Sequence, residues 1–190
     1  MTKFILHGGF PRKEDGLNRS FYKELAKDLP EGGTVLLVYF AVRYDNTDEV
    51  LEEQSNAILR QAEGKQLYFV RATKEDFVSQ LKKADGIYFH GGSTNNLLSV
   101  LREFPEIKSL IIGKTVAGSS AGAYAIASFG ASHSEDAMRE GLGLAPLRVI
   151  CHYESLELPP APGAVALLKK TAPSLELVTL ADCEWRVFRY

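Results

Sequence analysis

Cysteine is scarce in this sequence: its 190 residues hold two, Cys151 and Cys183. Two are too few for a disulfide framework, and their spacing matches no metal-site pattern. Both thiols are expected to be free, which suits a reducing, cytoplasmic location. Long apolar runs are also missing. None approaches the roughly 18 residues that span a bilayer, and Met1–Leu6 has no signal-peptide architecture. No membrane association is therefore expected. Nor is there an excess of one charge. Lys and Arg number 22 against 24 Asp and Glu, a formal net charge of −2, so no nucleic acid partner is expected. Gly8-Gly9 and Gly91-Gly92 do not form the G-x-G-x-x-G dinucleotide fingerprint. Repeats, low-complexity tracts and linkers are absent, so residues 1–190 are expected to form one domain.

What is present alternates. Lys3–His7 is a short apolar stretch ending in Gly8-Gly9, and Leu17–Leu29 has helical spacing. Thr34–Phe40 is a nearly continuous run of β-formers, as in a strand buried on both faces of a parallel sheet. Asp48–Ala62 reads as helix and Gln66–Arg71 as strand. Thr73, with Asp76 three residues on, reads as the N-cap of a helix reaching Lys83. Gly86–His90 is a strand, Asn95–Glu103 a helix, and Thr115–Gly118 a short strand. The rhythm loosens after Ser128. Phe129–Gly143 reads as a polar loop, followed by strand 147–151, helix 164–171, strand 175–180 and a final strand from Trp185. Such alternation predicts an α/β fold, a mostly parallel sheet with helices on both faces. Sites in these sheets form at the carboxyl ends of strands. Three glycine-marked strand ends follow from this: His7-Gly8-Gly9, His90-Gly91-Gly92 and Gly118-Ser119-Ser120.

The third carries chemistry. Gly118-x-Ser120-x-Gly122 fits G-x-S-x-G between strand and helix. In that setting the serine sits on a strained turn that lifts its hydroxyl off the sheet. Glycines on either side let strand and helix approach closely. The N–H of Ala121, at the helix start, is placed to stabilise an oxyanion, and Gly91 or Gly92 is a natural second donor. The competing view is a plain turn in which Ser120 caps the helix. Ser119, at the x position, should point sideways. A nucleophilic serine needs a base and an orienting group. Of His7, His90, His133 and His152, His152 is favoured, because it opens a loop at a strand's carboxyl end.

Several stretches resemble peptidase family S51, the family of dipeptidase E and cyanophycinase. Ser119-Ser120-Ala121-Gly122-Ala123 resembles its serine elbow, and His90 to Leu98 its glycine-rich oxyanion loop. Gly141-Leu142-Gly143-Leu144 through His152 is similar to its G-L-G-L…H segment, and Ala172 through Trp185 to its last helix–strand–acid segment. The resemblance implies a sandwich related to class I glutamine amidotransferases (flavodoxin-like). It further implies a serine peptidase acting on short peptides, possible Asp-X specificity, and no metal or organic cofactor. A homodimer is common in the related fold. Carried over, Ser120 is the nucleophile, His152 the base and Asp182 the acid, with Glu135, Asp136 and, less well, Glu184 as rival acids. Departures are His90 and Ser93 in the oxyanion loop, Cys183 after the acid, and Ala164 and Ala166 where aspartyl dipeptidases carry arginines. Arg139, Arg148, Lys169 and Lys170 are the cations left to meet a substrate carboxylate. An esterase, or a binding protein without activity, is the alternative outcome.

Overall fold

A computed structural model describes residues 1–42 and 47–190. The chain runs β1 (Lys3–His7), α1 (Gly16–Lys27), β2 (Gly33–Val38), α2 (Thr47–Leu59), β3 (Leu67–Arg71), α3 (Phe77–Lys83) and β4 (Gly86–Phe89). It continues through α4 (Thr94–Leu101), α5 (Ile107–Leu110), β5 (Thr115–Ser119) and α6 (Ala121–Ile126). Then come β6 (Phe129–Ala131), β7 (Met138–Glu140), β8 (Leu147–Ile150), α7 (Pro162–Lys170), β9 (Glu176–Thr179) and β10 (Trp185–Arg189).

Six strands form the main sheet in the order β10-β1-β5-β4-β2-β3. All pairs are parallel except β10, which runs antiparallel to β1. The apolar runs explain the layers. Along β2, Val35 and Leu37 join one core with Phe21, Leu25 and Ile58 of α1 and α2. Leu36 and Val38 join the opposite core with Phe77, Leu97 and Leu101 of α3 and α4. Alternate residues thus feed opposite faces, and both faces are covered by helix, as a parallel sheet requires. No helix among the described residues is long and apolar enough to cross a membrane.

Residues 129–143 differ from the expected loop. They contain β6 and β7, which with β8 and β9 make a second sheet, ordered β7-β6-β8-β9. Two strands of three residues are too short to show alternation. Gly130 also lacks β propensity, and it is there for closeness: a Cβ would lie 2.2 Å from the Tyr124 ring. This sheet and α7 enclose a small core of Ala131, Ile150, Ala164 and Leu168. The Thr73 cap differs too. Thr73 Oγ1 accepts from the Asp76 N–H at 3.3 Å, but helix α3 starts one turn later, at Phe77.

Candidate active site

Strand β5 ends at Ser119 and α6 begins at Ala121, leaving Ser120 alone on the turn with φ 49° and ψ −106°. The flanking glycines are sterically required. A Cβ on Gly118 would lie 2.5 Å from the Gly122 carbonyl carbon, and one on Gly122 2.0 Å from the Phe89 oxygen. Ser120 makes no capping hydrogen bond to α6. Its Oγ lies 3.1 Å from His152 Nε2 instead. Ser119 is fully buried and bonds Tyr88 Oη at 3.0 Å.

His152 follows β8 and opens a loop. Its Nδ1 lies 2.6 Å from Asp182 Oδ1. A carboxylate only accepts, so Nδ1 carries the hydrogen and Nε2 is left to accept from the Ser120 hydroxyl. Asp182 Oδ2 accepts from the Ser155 hydroxyl at 2.6 Å. Ser155 Oγ in turn accepts from the N–H groups of Glu157 and Leu158. Burial pushes the His152 pKa down, and the neighbouring Asp182 carboxylate opposes this. The net lowering keeps the imidazole neutral at physiological pH, the form a base needs.

The backbone explains how three distant residues meet. The end of β1 offers three consecutive carbonyls. His7 accepts from Ser120 N at 2.9 Å, Gly8 from His152 N at 3.0 Å, and Gly9 from Cys183 N at 3.0 Å. Gly9, at φ +137°, packs so tightly that a Cβ would fall 2.0 Å from His152 Cε1. Seven described non-glycine residues have positive φ, and four of them stand here: Phe10, Ser120, His152 and Cys183. Strain concentrated in this way is characteristic of functional sites.

His7 and Asn18 fix the β1 end from beneath. His7 is fully buried, and its Nδ1 accepts from Gly9 N at 3.1 Å. Its Nε2 therefore donates to Asn18 Oδ1 at 2.8 Å. Burial lowers the His7 pKa from 6.5 to about 4. Between those values the unfolded chain binds a proton that the folded protein refuses. The stability that His7 contributes is complete above pH 6.5 and lost as pH falls toward 4, by roughly 3 kcal/mol. Urea unfolding at pH 7.5 and 4.5 is expected to show this loss, and His7→Gln should reduce the difference.

The rival acids lie elsewhere. Glu135 pairs with Arg139 at 3.1 Å, Asp136 accepts from Gly163 N, and Glu184 from Ala181 N. Among the described residues, Asp182 is the carboxylate bonded to His152. The cations also separate. Arg148 is buried, and its guanidinium donates to the carbonyls of Leu168, Lys169, Thr171 and Leu175, so it ties α7 to β9. Lys169 and Lys170 are exposed on the last turn of α7. Arg139 lines a recess of about 190 Å³ with Thr94, Ser132 and His133, and the His133 ring meets His152 edge-on at 5.2 Å. A larger cavity of about 430 Å³ has Ser120, His152, Gly91 and Gly92 in its wall. A Cβ on Gly91 would lie 3.5 Å from that of Ser120, whereas one on Gly92 would strike Val42 and Ala41. As the first residue of α6, Ala121 has an N–H without an intrahelical partner.

Sequence reading missed Ser155, Asn18 and Phe10, whose parts depend wholly on distant partners. The thiols carry no visible chemistry. Cys151 is fully buried and held protonated by that burial, and Cys183 is buried beside Phe10. No group of three or more His, Cys, Asp and Glu among the described residues is disposed to hold a metal ion.

Comparison with solved structures returns the same fold. A peptidase from an acI-B1 actinobacterium superposes with a TM-score of 0.67 at 23% identity, over 100% of this chain and 84% of that one. A candidate peptidase E protein from Listeria monocytogenes EGD-e gives 0.64 at 18% identity, over 100% and 99%. Comparison with curated proteins finds no match. The model of peptidase family S51 matches residues 4–185, from the first strand to the start of β10. That span takes in the elbow, both glycine-marked strand ends and the loop after β8, and on it the chain belongs to peptidase family S51, a family of serine peptidases.

Proposed function

We propose that the protein hydrolyses short peptides through an acyl-enzyme on Ser120, with His152 as base and Asp182 as its orienting acid. The observation that carries this reading is the unbroken hydrogen-bonded line Ser120 Oγ–His152 Nε2 and His152 Nδ1–Asp182 Oδ1, at 3.1 and 2.6 Å. His152 Nε2 takes the hydroxyl proton as Ser120 Oγ attacks the scissile carbonyl carbon. The Ala121 N–H and that of Gly91 or Gly92 hold the oxyanion, each worth about 3–4 kcal/mol of barrier in comparable sites. His152 then returns the proton to the leaving nitrogen as the C–N bond breaks. Water, deprotonated by the same imidazole, attacks the ester and releases the acid.

A cavity walled by Ser120 and His152, with a separate small recess beside Gly92 and His133, favours a small substrate over a long chain threaded through a groove. The two free, buried thiols suit a reducing cytoplasm.

Treatment with a small fluorophosphonate, followed by peptide mapping, tests the reading. Ser120 is expected to be labelled, and the label to disappear in His152→Ala. A folded protein that takes no label would overturn the assignment.

A further inference from the structure

The larger cavity differs in character from the recess. Ser120 and His152 stand in its wall, and the rest of that wall includes Phe10, Pro11 and Leu158. The Phe10 ring meets the His152 ring edge-on at 4.8 Å. Whatever fills this space is therefore attached close to the reacting carbonyl.

Two cations, Arg12 and Lys13, reach the same cavity. Both are engaged by carboxylates of this chain. Arg12 Nε and one terminal nitrogen donate to Glu53 at 3.0 and 2.5 Å. The Lys13 ammonium pairs with Glu157 and lies 4.0 Å above the Phe10 ring. The four charges sum to zero, and the Asp182 carboxylate stands behind His152. An acidic side chain entering here would have to compete with Glu53 and Glu157 for these two cations and would lose its hydration among Phe10, Pro11 and Leu158, which is costly. An apolar side chain would release water from both surfaces.

The wall is also set in advance. Asn18 is buried, and its Nδ2 donates to the carbonyls of Phe10 and Lys13 at 2.9 and 2.8 Å. Its Oδ1 is committed to His7. The loop carrying Phe10 to Lys13 is thereby pinned at both ends from inside the fold.

We infer that the substrate carries a large apolar side chain next to the scissile bond, that the cavity between Phe10, Pro11 and Leu158 receives it, and that aspartate is refused there. This rests on the peptidase reading of Ser120.

The test uses the full chain and a dipeptide set in which Leu, Phe, Asp and Gly are placed in turn at each position, with Ala at the other. Amine release gives kcat/KM, and fluorophosphonate labelling of Ser120 is followed on the same preparation. Leu or Phe at one position is expected to exceed both Asp and Gly there by about tenfold or more. Leu158→Asp, on an exposed loop position, should lower kcat/KM for the Leu and Phe peptides about tenfold, chiefly through KM. Labelling with an equal or greater rate for Asp, or with no turnover of any apolar dipeptide, overturns the inference alone. Failure to label overturns the peptidase assignment instead.

Discussion

Ser120→Ala is expected to lower kcat for a peptide substrate by roughly a million-fold, and His152→Ala by nearly as much, with the double variant no worse than either. In the proposed mechanism the two side chains act as one unit. Without the hydroxyl, the imidazole has no proton to take toward the carbonyl. Without the imidazole, whose Nε2 stands 3.1 Å away in the intact protein, the hydroxyl is an ordinary alcohol with no base to take its proton. Asp182→Asn should cost about 10⁴-fold, because an amide at 2.6 Å from Nδ1 no longer demands a hydrogen there. The tautomer with its hydrogen on Nε2, useless as a base, then competes. Single-turnover kinetics with the variants, alone and combined, check the ranking. Additive losses would show that Ser120 and His152 act independently and would sink the proposed mechanism.

Gly9→Ala is expected to lower kcat by about a hundred-fold or more while the protein stays folded. The new methyl would lie 2.0 Å from His152 Cε1, so the ring must shift, and a displacement of about 1 Å at a reacting group costs on that order. Backbone strain adds to the effect, since Gly9 has φ +137°. Gly64→Ala separates the two contributions. Gly64 also has positive φ, +85°, but nothing lies within 4 Å of its added Cβ. Its variant should lose stability and keep its activity. Thermal melting and kcat measured on both decide the matter. If Gly9→Ala and Gly64→Ala behaved alike, the packing of His152 on Gly9 would have no bearing on the chemistry.

How much could be read from the chain depended on how local the cause was. The elbow was legible because its requirement is local: Gly118 and Gly122 must be bare for strand and helix to touch, and small residues at fixed spacing record that need. The parallel sheet was legible in runs such as Thr34–Phe40, within which Val35 and Leu37 join one core and Leu36 and Val38 the other. His152 was singled out by its place at a strand end. Asp182 came from family resemblance, since a lone aspartate near a turn carries no pattern of its own. Strands β6 and β7 were invisible at three residues each. Asn18, on an ordinary helix face, could not be told from a solvated residue. Its importance lies in reaching Phe10, Lys13 and His7, and sequence spacing does not encode those partners.

The three carbonyls at the end of β1 bear on the order in which the protein is made. They gather Ser120 from the middle of the chain and His152 and Cys183 from later segments, and β1 itself lies between β5 and the late strand β10. A strand that precedes all three segments in the chain thus waits for the last of them. A growing chain that has reached only Ser120 has the proposed nucleophile but neither the base nor the acid proposed for it. In the proposed mechanism a centre built this way has no working partial form, so it stays silent until the segment through Cys183 has been made and has paired with the end of β1.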